Sequence, residues 1–285
     1  MPPGADVRRL LPAFVHWTFR VALFMEFVGH GAFGVMGGKA AWLPYFHVVG
    51  IGSLTAWELM PLIGFVDVFL GSLALVRPTR AAVLYMGVWG FWTALLRPIA
   101  GEGWWEFIER AGNYGVPFAF LLWSGIPRTR EGWFEAIRPG WAGVAARRGT
   151  AAVLQATVVL LLVGHAGLAA VMGKHVLSAQ WAAIGLGSLG PFPTLHLEAG
   201  LDLAFAFGAL VYPAAWLLGT ASLWKIGCEL LWPLSGAPVW ELVERGGSYA
   251  APLLLLAIQM MGGTFFSNVG RHDKADDLKS QGLGP

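Results

Sequence analysis

The sequence carries its main motifs twice. Val28-Gly29-His30 returns as Val163-Gly164-His165, 135 positions later, and the same offset pairs Gly38-Lys39 with Gly173-Lys174, Asp67 with Asp202, Pro78 with Pro213 and Trp89 with Trp224. It also pairs Gly50-x-Gly52-Ser53-Leu54 with Gly185-x-Gly187-Ser188-Leu189. The longest match is Trp105-Glu106-x-x-Glu109-Arg110-x-Gly112-x-Tyr114-x-x-Pro117 with Trp240-Glu241-x-x-Glu244-Arg245-x-Gly247-x-Tyr249-x-x-Pro252. One gapless offset over about ninety positions marks a tandem duplication, and a repeat constrains a fold more than any local signal does. The copies run from about 13 to 125 and from about 149 to 267, separated by a linker at 126–148 and followed by a polar tail at 268–285.

Composition names the solvent. The chain is 56% hydrophobic and 13% charged, where a soluble domain carries about 25% charged residues. Apolar stretches near 13–36, 53–76, 81–96 and 114–126, and again near 150–172, 197–212, 214–232 and 250–267, predict four spans per copy. The expected fold is therefore an all-α membrane protein with eight transmembrane helices, arranged as two four-helix repeats. An even number of spans returns each copy to its starting side, so the repeats are parallel and related by an axis along the membrane normal.

Arginine placement orients the bundle. Arg8, Arg9, Arg77, Arg80, the linker with Arg128, Arg130, Arg138, Arg147 and Arg148, and the tail with Arg271, Lys274 and Lys279 fall on one side. That side is expected to be the cytoplasmic face of a bacterial inner membrane, with both termini and a mobile tail there. The linker around Trp133 and Trp141 reads equally as an interfacial amphipathic helix or as a solvated loop. No short apolar run closes with a small-residue cleavage site, so the first segment is expected to stay as a span.

Several functions are excluded. Nineteen basic against 17 acidic residues leave a net charge of +2, which gives no basic face for nucleic acid. Cys228 is the only cysteine, so neither thiol exchange within the chain nor a cysteine-ligated metal site is available.

The repeated charged block is the first candidate site. On a helix, Glu106 and Arg110 share a face and form an ion pair, with Tyr114 one turn further along that face; Glu241, Arg245 and Tyr249 repeat the set. The block serves either as a clamp for a re-entrant segment or as an anion or quinone head-group site, because Arg and Tyr donors beside an apolar slot suit a carbonyl oxygen.

With Gly-His near the end of the first helix, Gly-Lys after it, Gly64-x-x-Asp67 in the second and Glu-Arg-x-Gly-x-Tyr-x-x-Pro leading into the fourth, each copy resembles the DoxX-like family of bacterial membrane proteins. The resemblance covers both copies, hence nearly the whole chain. It implies a four-helix membrane unit tied to redox chemistry, as in subunits resembling the small quinone-associated part of thiosulfate:quinone oxidoreductase. The chain lacks the cysteine pair of the family's thiol-linked branch, and its two fused copies read as a homodimer turned into one chain.

His30 and His165 occupy equivalent places in their copies. They read as structural histidines, as quinone contacts, or as two ligands to one haem iron; no other metal-ligand set is evident. His47, His175 and His196 have no repeat partner. The copies differ at four ionisable positions: Glu26 stands opposite Leu161, Glu198 opposite Ile63, Lys225 opposite Gly90 and Glu229 opposite Ala94. Ionisable groups within spans face the bundle interior, so a Glu26–His30 pair and a Lys225–Glu229 pair are expected, and Asp67 and Asp202 are expected to be protonated or bonded to Trp89, Trp224 or a backbone group of a neighbouring span. The richer polar set of the second copy marks it as the half that makes the protein distinctive.

The function these features point to is a membrane subunit or anchor of a redox system that handles quinone on its outer side, with the bilayer and a protein complex as partners. The alternatives are a small-molecule or proton-coupled carrier lined by Asp67, Asp202, Glu26 and Glu198, a haem-binding subunit, and a purely structural one.

Overall fold

The computed structural model describes residues 4–262; the tail at 268–285, with Arg271, Lys274 and Lys279, lies outside the described residues. Within them the chain is all-helical, with a single isolated bridge between Thr79 and Ala136. The first half runs α1 (Gly4–Val35), α2 (Leu43–His47), α3 (Ser53–Val76), α4 (Arg80–Ile99), α5 (Trp104–Glu109) and α6 (Ala111–Ser124). The linker holds α7 (Arg130–Phe134). The second half repeats the order as α8 (Val144–Ala170), α9 (His175–Ala183), α10 (Pro191–Val211), α11 (Ala215–Leu234), α12 (Val239–Val243) and α13 (Gly246–Gly262).

Five helices are long and apolar enough to cross a membrane: Leu10–Val35 within α1, and α3, α4, α8 and α10. The three other expected spans are helical but fall outside this set. At 14 residues α6 is shorter than the roughly 20 that a bilayer requires, and α13 is described over 17 residues, as far as Gly262; each starts only after a break beside Arg110 or Arg245. α11 is long enough but carries Lys225 and Glu229 in its interior. The outward faces of α3 and α10 present Phe65, Phe69, Phe207 and Leu210 at more than half exposure, surfaces that hydrocarbon tolerates and water does not.

The core sits between the halves. α1 packs on α13 and α8 on α6, so the first helix of each half lies against the last helix of the other. Phe19 of α1 stacks on Phe120 of α6 with centroids 4.8 Å apart, and the backbones of Gly112 and Gly247 meet where the halves face each other. Small residues at such a crossing allow the close approach that drives helix association in lipid.

The same exchange governs the charged block. A Cβ at Gly164 of α8 would lie 2.2 Å from the backbone nitrogen of Glu109, and one at Gly29 of α1 would lie 2.2 Å from that of Glu244. Each short helix, α5 and α12, is thus seated on a glycine of the opposite half.

At the far end, arginines close the structure through backbone carbonyls. Arg20 donates to the carbonyls of Leu75 and Val76, the last of α3, and lies 3.9 Å over the Trp17 ring. These are helix C-terminal carbonyls with no partner of their own, which explains an arginine inside an apolar run. Arg80 donates to Ser124, Gly125 and Gly132 at 2.7, 2.8 and 3.1 Å. The linker is therefore fastened down. Trp133 packs against the core while Trp141 is exposed, so the two tryptophans do not share an interfacial helix.

Candidate functional site

A cavity of about 220 Å³ opens in the first half. Its walls are aromatic and aliphatic, with Trp42, Tyr45, Phe46 and Trp92 from α2 and α4 and their flanks, and Ile63 from α3. Its polar wall joins His30, Arg97 and Arg110 to Glu244, Arg245 and Ser248 of the second half. The site is incomplete without both copies.

Ion pairs hold the polar wall and obey the repeat. Lys39 reaches across to Glu241 at 2.7 Å, and its counterpart Lys174 reaches across to Glu106. Arg110 pairs with Glu109 at 3.2 Å and Glu106 at 3.9 Å; Arg245 pairs with Glu241, Glu244 and Glu229 at 2.9, 3.1 and 3.0 Å. Burial pushes the Glu241 carboxyl up, but Arg245 and Lys39 outweigh it and hold the pKa at about 2. Glu109, likewise opposed by burial, is held at about 2 by Arg110 and Arg245. Burial raises the Tyr45 phenol, which donates to Glu102.

The pairing is not symmetric. Arg245 points its Nε to Glu229, but the first half has Ala94 at that place. Arg110 Nε accordingly finds no partner among the described residues, and Arg110 lines the cavity.

Deeper in, a lobe of about 20 Å³ is lined by Glu26, His30, Asp67, Trp89, Gly90, Thr93 and Asn113, four of which also line the main cavity. His30 Nδ1 bonds Asp67 Oδ2 at 2.8 Å, and the imidazole stacks on Trp42 with centroids 4.6 Å apart. Three buried atoms here have no hydrogen-bond partner among the described residues: Glu26 Oε2, Asp67 Oδ1 and Trp89 Nε1. In the second half the equivalent two atoms bond each other, Trp224 Nε1 donating to Asp202 Oδ1 at 2.7 Å. Trp224 stacks on Trp181, whereas Trp89 stacks on Tyr85 instead.

The second half uses its extra side chains on itself. His165 bonds Asp202 at 2.8 Å and approaches Glu198 at 3.4 Å, and Trp181 donates to Glu198 at 2.7 Å. Lys225 pairs with Glu229 at 3.2 Å, both 1% exposed. Lys225 stands where the first half has Gly90, at which an added Cβ would lie 2.3 Å from the carbonyl oxygen of Asn113. His165, Glu198 and Asp202 have the ligand types for a metal ion, but their facing atoms already serve one another and the two indoles.

Several sequence expectations change accordingly. His30 takes Asp67 of α3, at 2.8 Å, and not Glu26. Asp67 does not bond Trp89, although Asp202 does bond Trp224. Tyr114 and Tyr249 do not join the charged pairs; they donate to the carbonyls of Phe107 and Leu242 at 3.4 Å. Each histidine is engaged within its own half, and His165 is absent from the cavity that His30 lines. The four carboxylates of the carrier reading fall into two clusters, Glu26 with Asp67 and Glu198 with Asp202. The richer charge set of the second half fills space, and the cavity lies in the half that lacks it. The sequence reading missed Trp42, Tyr45, Trp89 and Arg97 as wall residues; of these only Trp89 repeats. No family model, curated protein or solved structure matches the chain.

Proposed function

We propose that the chain is an eight-span, DoxX-like protein of a bacterial cytoplasmic membrane, built from two parallel four-helix repeats, and that its first repeat binds the head group of a quinone. In this reading α6, α11 and α13 complete the spans, with α5 and α12 in the outer segments that precede α6 and α13. The linker and its arginines lie on the cytoplasmic side and the cavity on the other. The protein serves as a membrane subunit or anchor of a redox system and leaves the electron transfer to its partners.

One observation carries this reading: an aromatic-walled cavity with a buried, unpartnered N–H at Arg110 Nε. About 150 Å³ suffices for benzene, so about 220 Å³ accepts a substituted six-membered ring. Trp42, Trp89 and Trp92 supply faces and edges for it, and the Arg110 N–H supplies what a ring carbonyl needs in a dry site. In the second half the places of Ile63, Gly90 and Ala94 are taken by Glu198, Lys225 and Glu229, all buried.

Equilibrium dialysis of duroquinone against the detergent-solubilised full chain tests the proposal. Ile63→Trp, which places an indole in the cavity, is expected to weaken binding at least tenfold without lowering the unfolding temperature. Saturable binding that Ile63→Trp leaves intact, or no binding by the wild type, overturns the assignment.

A further inference from the structure

The inner lobe makes a finer choice than the cavity as a whole. It presents one fixed donor, Trp89 Nε1–H, and acceptor oxygens at Asp67 Oδ1 and Glu26 Oε2, none of them partnered among the described residues. Asp67 and Glu26 are 1% and 3% exposed. A buried polar group without a partner is destabilising, and the second half shows the ordinary solution, a direct bond between indole and carboxylate. The first half forgoes that bond. Tyr85 stacking holds Trp89, Asp67 is held through His30, and the two side chains that carry the unmatched atoms line a space large enough for one oxygen.

A carbonyl oxygen in that space accepts from Trp89 but has nothing to give Asp67 Oδ1. A hydroxyl accepts from Trp89 and donates to Asp67 with the same oxygen. We infer that the lobe is a hydroxyl-selective subsite, so that the ligand this cavity favours is the reduced, dihydroxy form of the ring. This rests on the quinone-site reading above and deepens it: Arg110 Nε–H, as a donor alone, receives an oxygen in either state, while the lobe distinguishes the states. The same hydroxyl chemistry could come from a resident water, and a water would show no preference between ring forms.

The test compares duroquinol with duroquinone under anaerobic conditions, each dialysed against the full chain. Duroquinol is expected to bind about fivefold to tenfold more tightly, the range for one added hydrogen bond. Asp67→Asn puts an amide within the lobe in place of a carboxylate oxygen, and is expected to bring the ratio to one or reverse it. If Asp67→Asn does not fold, Trp89→Phe keeps the question open to measurement. It removes the donor common to both forms and should weaken each about fivefold without shifting the unfolding temperature. Equal binding of the two forms by the wild type, a ratio unmoved by Asp67→Asn, or affinities unmoved by Trp89→Phe overturns the hydroxyl subsite and leaves the ring site standing. If neither form binds, both readings fall.

Discussion

Gly164→Ala puts one methyl group where the backbone of α5 already lies. The added carbon would sit 2.2 Å from Glu109 N, 2.5 Å from Glu109 Cα and 2.7 Å from the Ile108 carbonyl carbon, against an ordinary contact of 3.4–4 Å. All three are main-chain atoms, so no side-chain rotation relieves them, and α5 must withdraw by about 1 Å, which places the change at the upper end of overpacking, about 3 kcal/mol. The withdrawal also lengthens the ties from Glu106 to Lys174 and Arg110. For a chain of this size about 3 kcal/mol lowers the unfolding midpoint by roughly 6–12 °C. Gly200→Ala on α10 is the control. Nothing lies within 4 Å of its added carbon, so the gain in helix propensity, up to about 1 kcal/mol, is unopposed. Thermal unfolding followed by circular dichroism in one detergent compares the two. Equal midpoints would refute the seating of α5 on the opposite half.

The charged wall has a pH signature. Glu241 titrates at about 2 in the folded chain against an ordinary 4.5, so its contribution to stability is full above about 4.5 and lost as pH falls through about 2. The midpoint difference between wild type and Glu241→Gln should therefore shrink steadily over that window, and a constant difference would contradict the assigned pairing. Lys225→Ala leaves Glu229 buried without its lysine and is expected to cost about 3 kcal/mol or more. Adding Glu229→Ala, which restores the alanine of the first half, should recover part of that loss in a double-mutant cycle. Arg80→Ala frees three carbonyls of the linker and its flank; trypsin should then cut at Arg128 or Arg130 several-fold faster, with the helical signal unchanged.

The duplication is legible because apolar background cannot hide charges that recur at one offset; that each His–Asp bond spans 37 residues in both halves agrees with it, but the bond itself is not legible, since spacing on one helix favours Glu26 for His30. The Lys225–Glu229 pair is legible too, since i and i+4 face each other on any helix. The exchange between halves is not. Lys39 and Glu241 are 202 residues apart, and nothing local says whether a repeated lysine serves its own copy or the other. The cavity escapes for a related reason: its existence depends on side chains that are missing, at Gly90 and Ala94, and on an unrepeated Phe46, Trp92 and Arg97. A search for chemistry among ionisable residues finds Lys225 and Glu198 first, where packing has already used them. The bonds of Tyr114 and Tyr249 to carbonyls seven residues earlier need the break between the short helix and the next, which spacing alone does not show.

The crossing of Lys39 to Glu241 and of Lys174 to Glu106 limits how such a gene can diverge after fusion. The second copy supplies part of the wall of the cavity in the first, so it contributes there whatever its own interior holds. Glu244, Arg245 and Ser248 remain answerable to the open chamber in the first half, while Ile63, Gly90 and Ala94 could become Glu198, Lys225 and Glu229 in the other half without touching it. The outer charged block of the second copy thus braces the cavity of the first, while the interior of the second copy is filled by Glu198, Lys225 and Glu229.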